Sequence, residues 1–308
     1  MTHSKVKVLY IAGWGRSGST LLARILAQVS GFVHMGELRT LWTDGLKPKG
    51  ICGCGVLVRD CQVWQEVFDR GFGGMGEIDP KAMAQLRLST EPRSQEILLA
   101  PLAPLWPKRQ HQRHTRLQDY ISVLSHLYPA IQATTQAQII VDDSLHPGYA
   151  YTLSLVPNLE LYLVHLVRDP RGCAYSWQKR QKQGLGTYTL SQSAFGWALR
   201  NLSIEVLRTC PSIQFLRLRY EDFVQNPPVA IRKILKQVGL ESQPLPFVSD
   251  FEVNIGPTHS VFGNSNRMMT GLTEIRSDQV WKTKMSQLDK LKVVSLTWPF
   301  LAKYGYLR

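Results

Sequence analysis

Short unbroken apolar runs alternate along this chain with stretches whose apolar residues recur at helical spacing. Residues 5 to 12 form an apolar run of strand length, and 19 to 29 continue with the spacing of a helix laid on a sheet. Phe32 to Met35 predicts a short second strand. Between about 44 and 116 the pattern weakens, with glycines at 71, 73, 74 and 76 and prolines at 80, 92, 101, 104 and 107. This predicts an insertion of helices and loops rather than a separate domain.

Periodicity then returns. Leu117 to Ala133 predicts a helix, and Ala137 to Val141 a buried strand ending in Asp142 and Asp143. Leu159 to Val167 is a further strand, closed by Arg168-Asp169-Pro170 and followed by a helix through Trp177. A long helix from about Ser191 to Arg208, the strand IQFLRLRY and the helix VAIRKILKQVGL, ending at Gly239, complete the readable pattern. Apolar strands alternating with helices imply a three-layer α/β fold with a mostly parallel sheet covered on both faces, expected to be one domain over 1–308.

Composition narrows the class. Of 308 residues, 44% are hydrophobic and 19% charged, with no polar tract of the kind that stays disordered. A net charge of +13 points to an anionic partner: nucleotide, acidic substrate, membrane surface or nucleic acid. No run approaches the roughly 20 apolar residues of a membrane span, and the opening MTHSKVKVLYIAGWG is too short and glycine-broken for a signal peptide, so a soluble cytoplasmic protein is expected. Five cysteines, an odd number in a chain too large to need staples, fit a reducing compartment. Cys52, Cys54 and Cys61 could hold zinc with a fourth ligand from elsewhere, but they lack the paired CxxC spacing of a zinc ribbon. They read as packing or loop-shaping thiols, with no metal expected.

The chemistry concentrates in a few stretches. GWGRSGST, from Gly13 to Thr20, lies between a strand and a helix and almost spells the phosphate loop GxxxxGK[ST], with Ser19 in the lysine position. Backbone N–H groups and a helix N-terminus bind an anion without a particular side chain, and Arg16 supplies charge from inside the loop. In LVHLVRDPRGCAYSW, Arg168 at a strand end and Ser176 eight positions later offer a guanidinium and a hydroxyl to a second phosphate. The bland alternative is a structural bridge of Arg168 with Asp169 or a neighbour and a solvent-facing Ser176.

GRSGSTLL, LVRDPRGCAYSW and RYEDFVQNP, in this order, resemble the sulfotransferases that use 3'-phosphoadenosine-5'-phosphosulfate (PAPS). HMGELRTLW, the CGCG segment, SVFGNSNRMMTG and LTWPFLAKYGY are similar to the bacterial branch of that family. The resemblance implies that Gly15, Arg16, Ser17, Gly18, Ser19 and Thr20 hold the 5'-phosphosulfate and that Arg168 and Ser176 hold the 3'-phosphate. It also places Tyr220 near the adenine, and has Arg267 close over the 3'-phosphate from a loop shaped by Gly263 and Asn264. A phosphosulfate donor has no need of the missing lysine and its Mg²⁺ arrangement.

Sulfuryl transfer needs an in-line acceptor, cations at the bridging oxygen and a base for the acceptor proton. Glu37, 21 positions after Arg16, is the expected base, against a structural salt bridge with Arg39. The sequence departs from relatives that read VDSSKHP, having Asp143 and Leu145 in Val141-Asp142-Asp143-Ser144-Leu145-His146-Pro147. Leu145 removes a lysine able to stabilise the leaving phosphate, and His146 is a second acid/base candidate. PKRQHQRHTR, from Pro107 to Arg116, reads as a solvated loop before a lid, and Trp14, Trp42, Trp106 and Trp177 as core before acceptor pocket.

The expected enzyme is a PAPS-dependent sulfotransferase acting on a hydroxyl, or an amine, of a small metabolite, natural product or sugar, with no nucleic-acid partner. A P-loop kinase or NTPase is the rival enzyme, because IIVDD resembles the strand and aspartate that hold Mg²⁺. A non-catalytic nucleotide- or nucleic-acid-binding relative is the third reading.

Overall fold

The computed structural model describes residues 5–99, 110–183 and 188–307. Five strands form one parallel sheet: β1 (Val6–Gly13), β2 (Phe32–Gly36), β3 (Ile139–Leu145), β4 (Leu159–Val167) and β5 (Ile213–Arg219), in the order β2-β3-β1-β4-β5. Side chains alternate across a strand, and β1 sends Val6, Val8, Tyr10 and Ala12 into one core while Leu9 and Ile11 enter another. A strand buried on both faces is apolar at most positions, which is why β1 and β4 read as nearly continuous runs.

Helix α1 (Ser19–Leu26) covers one face and ends three residues before the expected 29, with Ala27 as its C-cap. The insertion carries α2 (Gln62–Phe72), α3 (Pro80–Thr90) and α4 (Ser94–Leu99); α2 and α3 pack on α5 (Gln110–Thr135). Gln110 to Arg116 therefore begins a helix rather than a loop, with His114, Thr115 and Arg116 exposed; Pro107 to Arg109 and Trp106 lie outside the described residues. Helix α6 (Pro147–Ser154) follows β3, with His146 preceding a proline whose missing N–H costs nothing at a helix start. Helices α7 (Pro170–Lys182) and α8 (Leu190–Leu207) are both capped by side chains. Asp169 accepts from Arg171 N at 2.8 Å, and Thr189 forms a capping box with Gln192.

After β5 come α9 (Tyr220–Gln225) and α10 (Pro227–Gln237). A three-stranded antiparallel sheet follows, of β6 (Phe247–Ser249), β7 (Glu252–Ile255) and β8 (Gly271–Glu274), and α11 (Trp281–Lys284) and α12 (Gln287–Tyr304) close the fold. The apolar pattern did not signal this second sheet: its strands are three or four residues long and mostly face solvent. No described helix is long and apolar enough to cross a membrane.

Chain order reverses beside β1, which has β3 on one side and β4 on the other. Such a reversal leaves a crevice at the carboxyl ends of the strands. Gly13 pairs in register with Leu166, so the loops leaving β1 and β4 emerge side by side. A Cβ at Gly13 would lie 2.6 Å from Leu166 O, so only glycine allows this approach.

Candidate active site

The loop after β1 turns through two left-handed residues, Arg16 (φ 75°) and Gly18 (φ 89°), before entering α1. No side chain caps α1 and its first turn holds no acid, which leaves the positive end of the helix dipole uncompensated by a local side chain. Gly18 also admits Tyr220, whose Cδ2 would be 2.7 Å from an added Cβ, and Gly15 admits Trp177 in the same way at 2.8 Å. Ser17 and Ser19 are buried, with Ser17 Oγ 3.8 Å from Cys173 Sγ.

The loop after β4 delivers Arg168 into this turn. Its Nη1 donates to Arg16 O at 2.9 Å, and its Nη2 donates to Asp278 O and Oδ2, both at 3.0 Å. Arg16 Nε donates to Ser176 Oγ at 3.0 Å, so the two phosphate-site motifs are physically joined. The Arg168 guanidinium lies 4.4 Å from the Tyr220 ring centroid. Arg168 thus pairs with Asp278 rather than Asp169, whose carboxylate engages Arg171. Ser176 faces Arg16 rather than solvent.

Burial lowers the Arg16 pKa, and the guanidiniums of Arg180 and Arg168 lower it further. Like charges and burial disfavour the charged form of Arg16, and an anion beside it would offset that cost. Arg180 stands four residues after Ser176, one helical turn on, so the sequence held a signal for it. Asp278 carried none. Beside Tyr220 and Asp278 opens a cavity of about 690 Å³, with Arg171, Arg219, Lys282 and Lys290 among its walls.

Glu37 lies on the other side of the loop, at the end of β2. Its pKa is raised to about 8, first by burial and then by Asp143 and Asp142. The alternative, a salt bridge with Arg39, does not form: Arg39 Nε donates to both oxygens of Glu91, at 2.8 and 2.9 Å. Asp143 accepts from Thr20 Oγ1 at 3.5 Å and sits 3.0 Å from His34 Nε2. The buried Asp142 is held by Tyr128 and Ser144.

His146 is 3.2 Å from Arg200 Nη2 through its Nε2. Burial and then Arg200 hold its pKa well below the usual histidine value, so the ring is neutral and Nε2 accepts from Arg200. That occupied lone pair removes His146 from direct proton transfer in this geometry. Arg200, whose guanidinium stacks 4.8 Å from the Trp14 ring, is a site cation the pattern did not reveal; burial brings its pKa down to about 10, leaving it charged. The tryptophans divide. Trp42 packs edge-on against Phe68 and Phe72 in the core, whereas Trp14 and Trp177 both meet Tyr188 beside the loop.

Arg267 is elsewhere than expected. Its guanidinium donates to Ser260 O at 2.8 Å and Ile51 O at 2.6 Å, two backbone carbonyls beside the cysteine cluster. Gly263 (φ 107°) leaves room for Glu37, whose Oε1 would lie 3.4 Å from an added Cβ, and Asn264 caps the next turn by accepting from Asn266 N. This late loop therefore shapes the Glu37 side of the crevice. The same segment brings His259 to Cys52 and Cys61, a fourth partner for the cysteine cluster.

The fold is thus an α/β protein with a glycine-rich turn from strand to helix, arginines at the sheet's switch point and a carboxyl of raised pKa at the end of β2. The family model of the sulfotransferase family matches residues 9–244, and the chain belongs to that family. Its structure is similar to the sulfotransferase domain from the curacin biosynthetic pathway, with a TM-score of 0.53, 17% identity and coverage of 95% of this chain and 97% of that one. It is equally similar to the sulfotransferase domain of the Synechococcus PCC 7002 olefin synthase, with a TM-score of 0.53, 19% identity and coverage of 97% and 96%. None of the curated proteins matches the sequence.

Proposed function

We propose that this chain transfers the sulfuryl group of PAPS to a hydroxyl of a small-molecule acceptor. The observation that carries the reading is the junction of Arg16 with both Arg168 and Ser176 at the turn into α1, whose N-cap has no side-chain partner. Arg16 and the N–H groups of residues 17–20 receive the 5'-phosphosulfate, and Arg168 with Ser176 receives the 3'-phosphate. Tyr220, stacked on Arg168 and bordering the cavity, packs beside the adenine.

In the transfer, the acceptor oxygen attacks sulfur in line as the bond from sulfur to the phosphate oxygen breaks. Charge builds on that bridging oxygen, where Arg16 and the helix N-terminus stand. Glu37, with a pKa of about 8, takes the acceptor proton and is well matched to a reaction near neutrality. Leu145 leaves no lysine at the leaving group, so Arg16 supplies the charge there, while His146 acts through Arg200 as a positioning residue.

Titration calorimetry with 3'-phosphoadenosine-5'-phosphate against ATP with Mg²⁺ tests the reading. Binding of the bisphosphate in preference to ATP with Mg²⁺ is expected. The kinase-like alternative draws on one observation, Thr20 facing Asp143 as a metal-holding hydroxyl and carboxylate would, and a preference for ATP with Mg²⁺ would establish it.

A further inference from the structure

Cys52, Cys54, Cys61 and His259 place one ligand atom each within 4.8 Å of one another, and all three cysteines are free. Cys52 Sγ is 3.7 Å and Cys54 Sγ 3.8 Å from Cys61 Sγ. His259 Nδ1 is 3.3 Å from Cys61 Sγ and 4.0 Å from Cys52 Sγ. A tetrahedral zinc ion with ordinary Zn–S and Zn–N bonds sets sulfur atoms about 3.8 Å apart and sulfur and nitrogen about 3.6 Å apart. Four of the six ligand pairs already stand within about 0.4 Å of those separations, and the whole set lies within 4.8 Å.

The surroundings are those of a built site. Cys52 and Cys61 are buried, while Cys54 and His259 are partly exposed and leave an approach from solvent. His259 is held by its own carbonyl, which accepts from Trp64 Nε1 at 2.8 Å. Gly53 N donates to Ser260 O at 2.8 Å, and Cys52 pairs with Val261 as an antiparallel bridge. Arg267 clamps the peptides next to Cys52 and His259 through Ile51 O and Ser260 O. Three thiolates and a neutral imidazole around a dication carry one net negative charge, and the Arg267 guanidinium lies in the same neighbourhood.

We propose that Cys52, Cys54, Cys61 and His259 bind one structural zinc ion that ties the insertion to the late loop and fixes the shelf under Glu37. The link to that shelf is short: Val261 bridges Gly36, and its carbonyl accepts from Glu37 N at 3.0 Å. Four protein ligands fill a tetrahedral shell, so the ion has no open position and supplies no Lewis acid to the reaction. The three-sulfur, one-nitrogen set selects zinc over hard oxygen-seeking cations. Because His259 lies 198 positions from Cys61, the three-cysteine spacing could not disclose the fourth ligand.

The full chain, produced with zinc available and purified under reducing conditions, is assayed for metal by mass spectrometry; about one zinc per chain is expected. Cys54→Ser and His259→Ala should lose that stoichiometry, whereas Cys210→Ser, outside the cluster, should retain it. Should the cluster variants fail to fold, wild-type protein exchanged with Co²⁺ decides the matter. Intense visible bands with thiolate-to-cobalt charge transfer, and protection of Cys52, Cys54 and Cys61 from alkylation until a chelator is added, support the site. Absence of metal from reduced wild-type protein with no cobalt–thiolate spectrum, or metal retained undiminished by Cys54→Ser and His259→Ala, overturns it. None of these readouts needs turnover, so they stand apart from the donor reading.

Discussion

Replacing Arg168 by alanine separates the donor-site reading from its rivals most directly. The guanidinium is buried, stacks on Tyr220, and spends Nη1 on Arg16 O and Nη2 on Asp278. A charge-assisted hydrogen bond is worth about 1.5–3 kcal/mol, so losing one to the 3'-phosphate weakens bisphosphate binding about 10- to 150-fold. Asp278 works in the opposite direction, because the phosphate must displace it. Its side chain is 50% exposed, so the pair contributes at most about 1 kcal/mol, and Asp278→Ala tightens binding by no more than about fivefold. That gain should vanish in the Arg168→Ala background, and a double-mutant cycle by titration calorimetry reads it without any acceptor. Arg168→Lys keeps the charge but not the fork, and should fall between wild type and Arg168→Ala. A folded Arg168→Ala protein that binds the bisphosphate as tightly as wild type refutes the assignment.

Three further outcomes follow from the geometry. Only ionised Glu37 accepts a proton, so kcat/KM should rise with pH through about 8; Glu37→Gln, assayed on hydroxyl acceptors, should remove that limb and lower the rate by about 10²–10⁴-fold. Gly18→Ala forces a Cβ into a left-handed turn against Tyr220, so bisphosphate binding should be lost and thermal unfolding should show a cost of roughly 1–3 kcal/mol. Glu91 accepts from Arg39 and Arg87 in a buried cluster, so Glu91→Ala should reduce unfolding free energy in urea by about 3–5 kcal/mol; an unchanged midpoint would count against this buried network.

The parallel sheet and the phosphate loop were legible along the chain because their causes are local. A strand buried on both faces shows its burial in every residue, and an anion cradle made of backbone N–H groups needs only consecutive positions. Arg168 and Ser176 share one strand, turn and helix, so their nearness could be read from spacing, and Glu37 could be placed at a strand end. The tertiary structure alone set Asp278 against Arg168, Arg200 against His146 and Glu91 against Arg39, and it moved Arg267 to the peptides beside Cys52 and His259. These contacts join residues many turns apart, and the path of the chain through space decides which distant side chains meet. Periodicity records which face of an element is buried, and it carries no record of what that face is buried against.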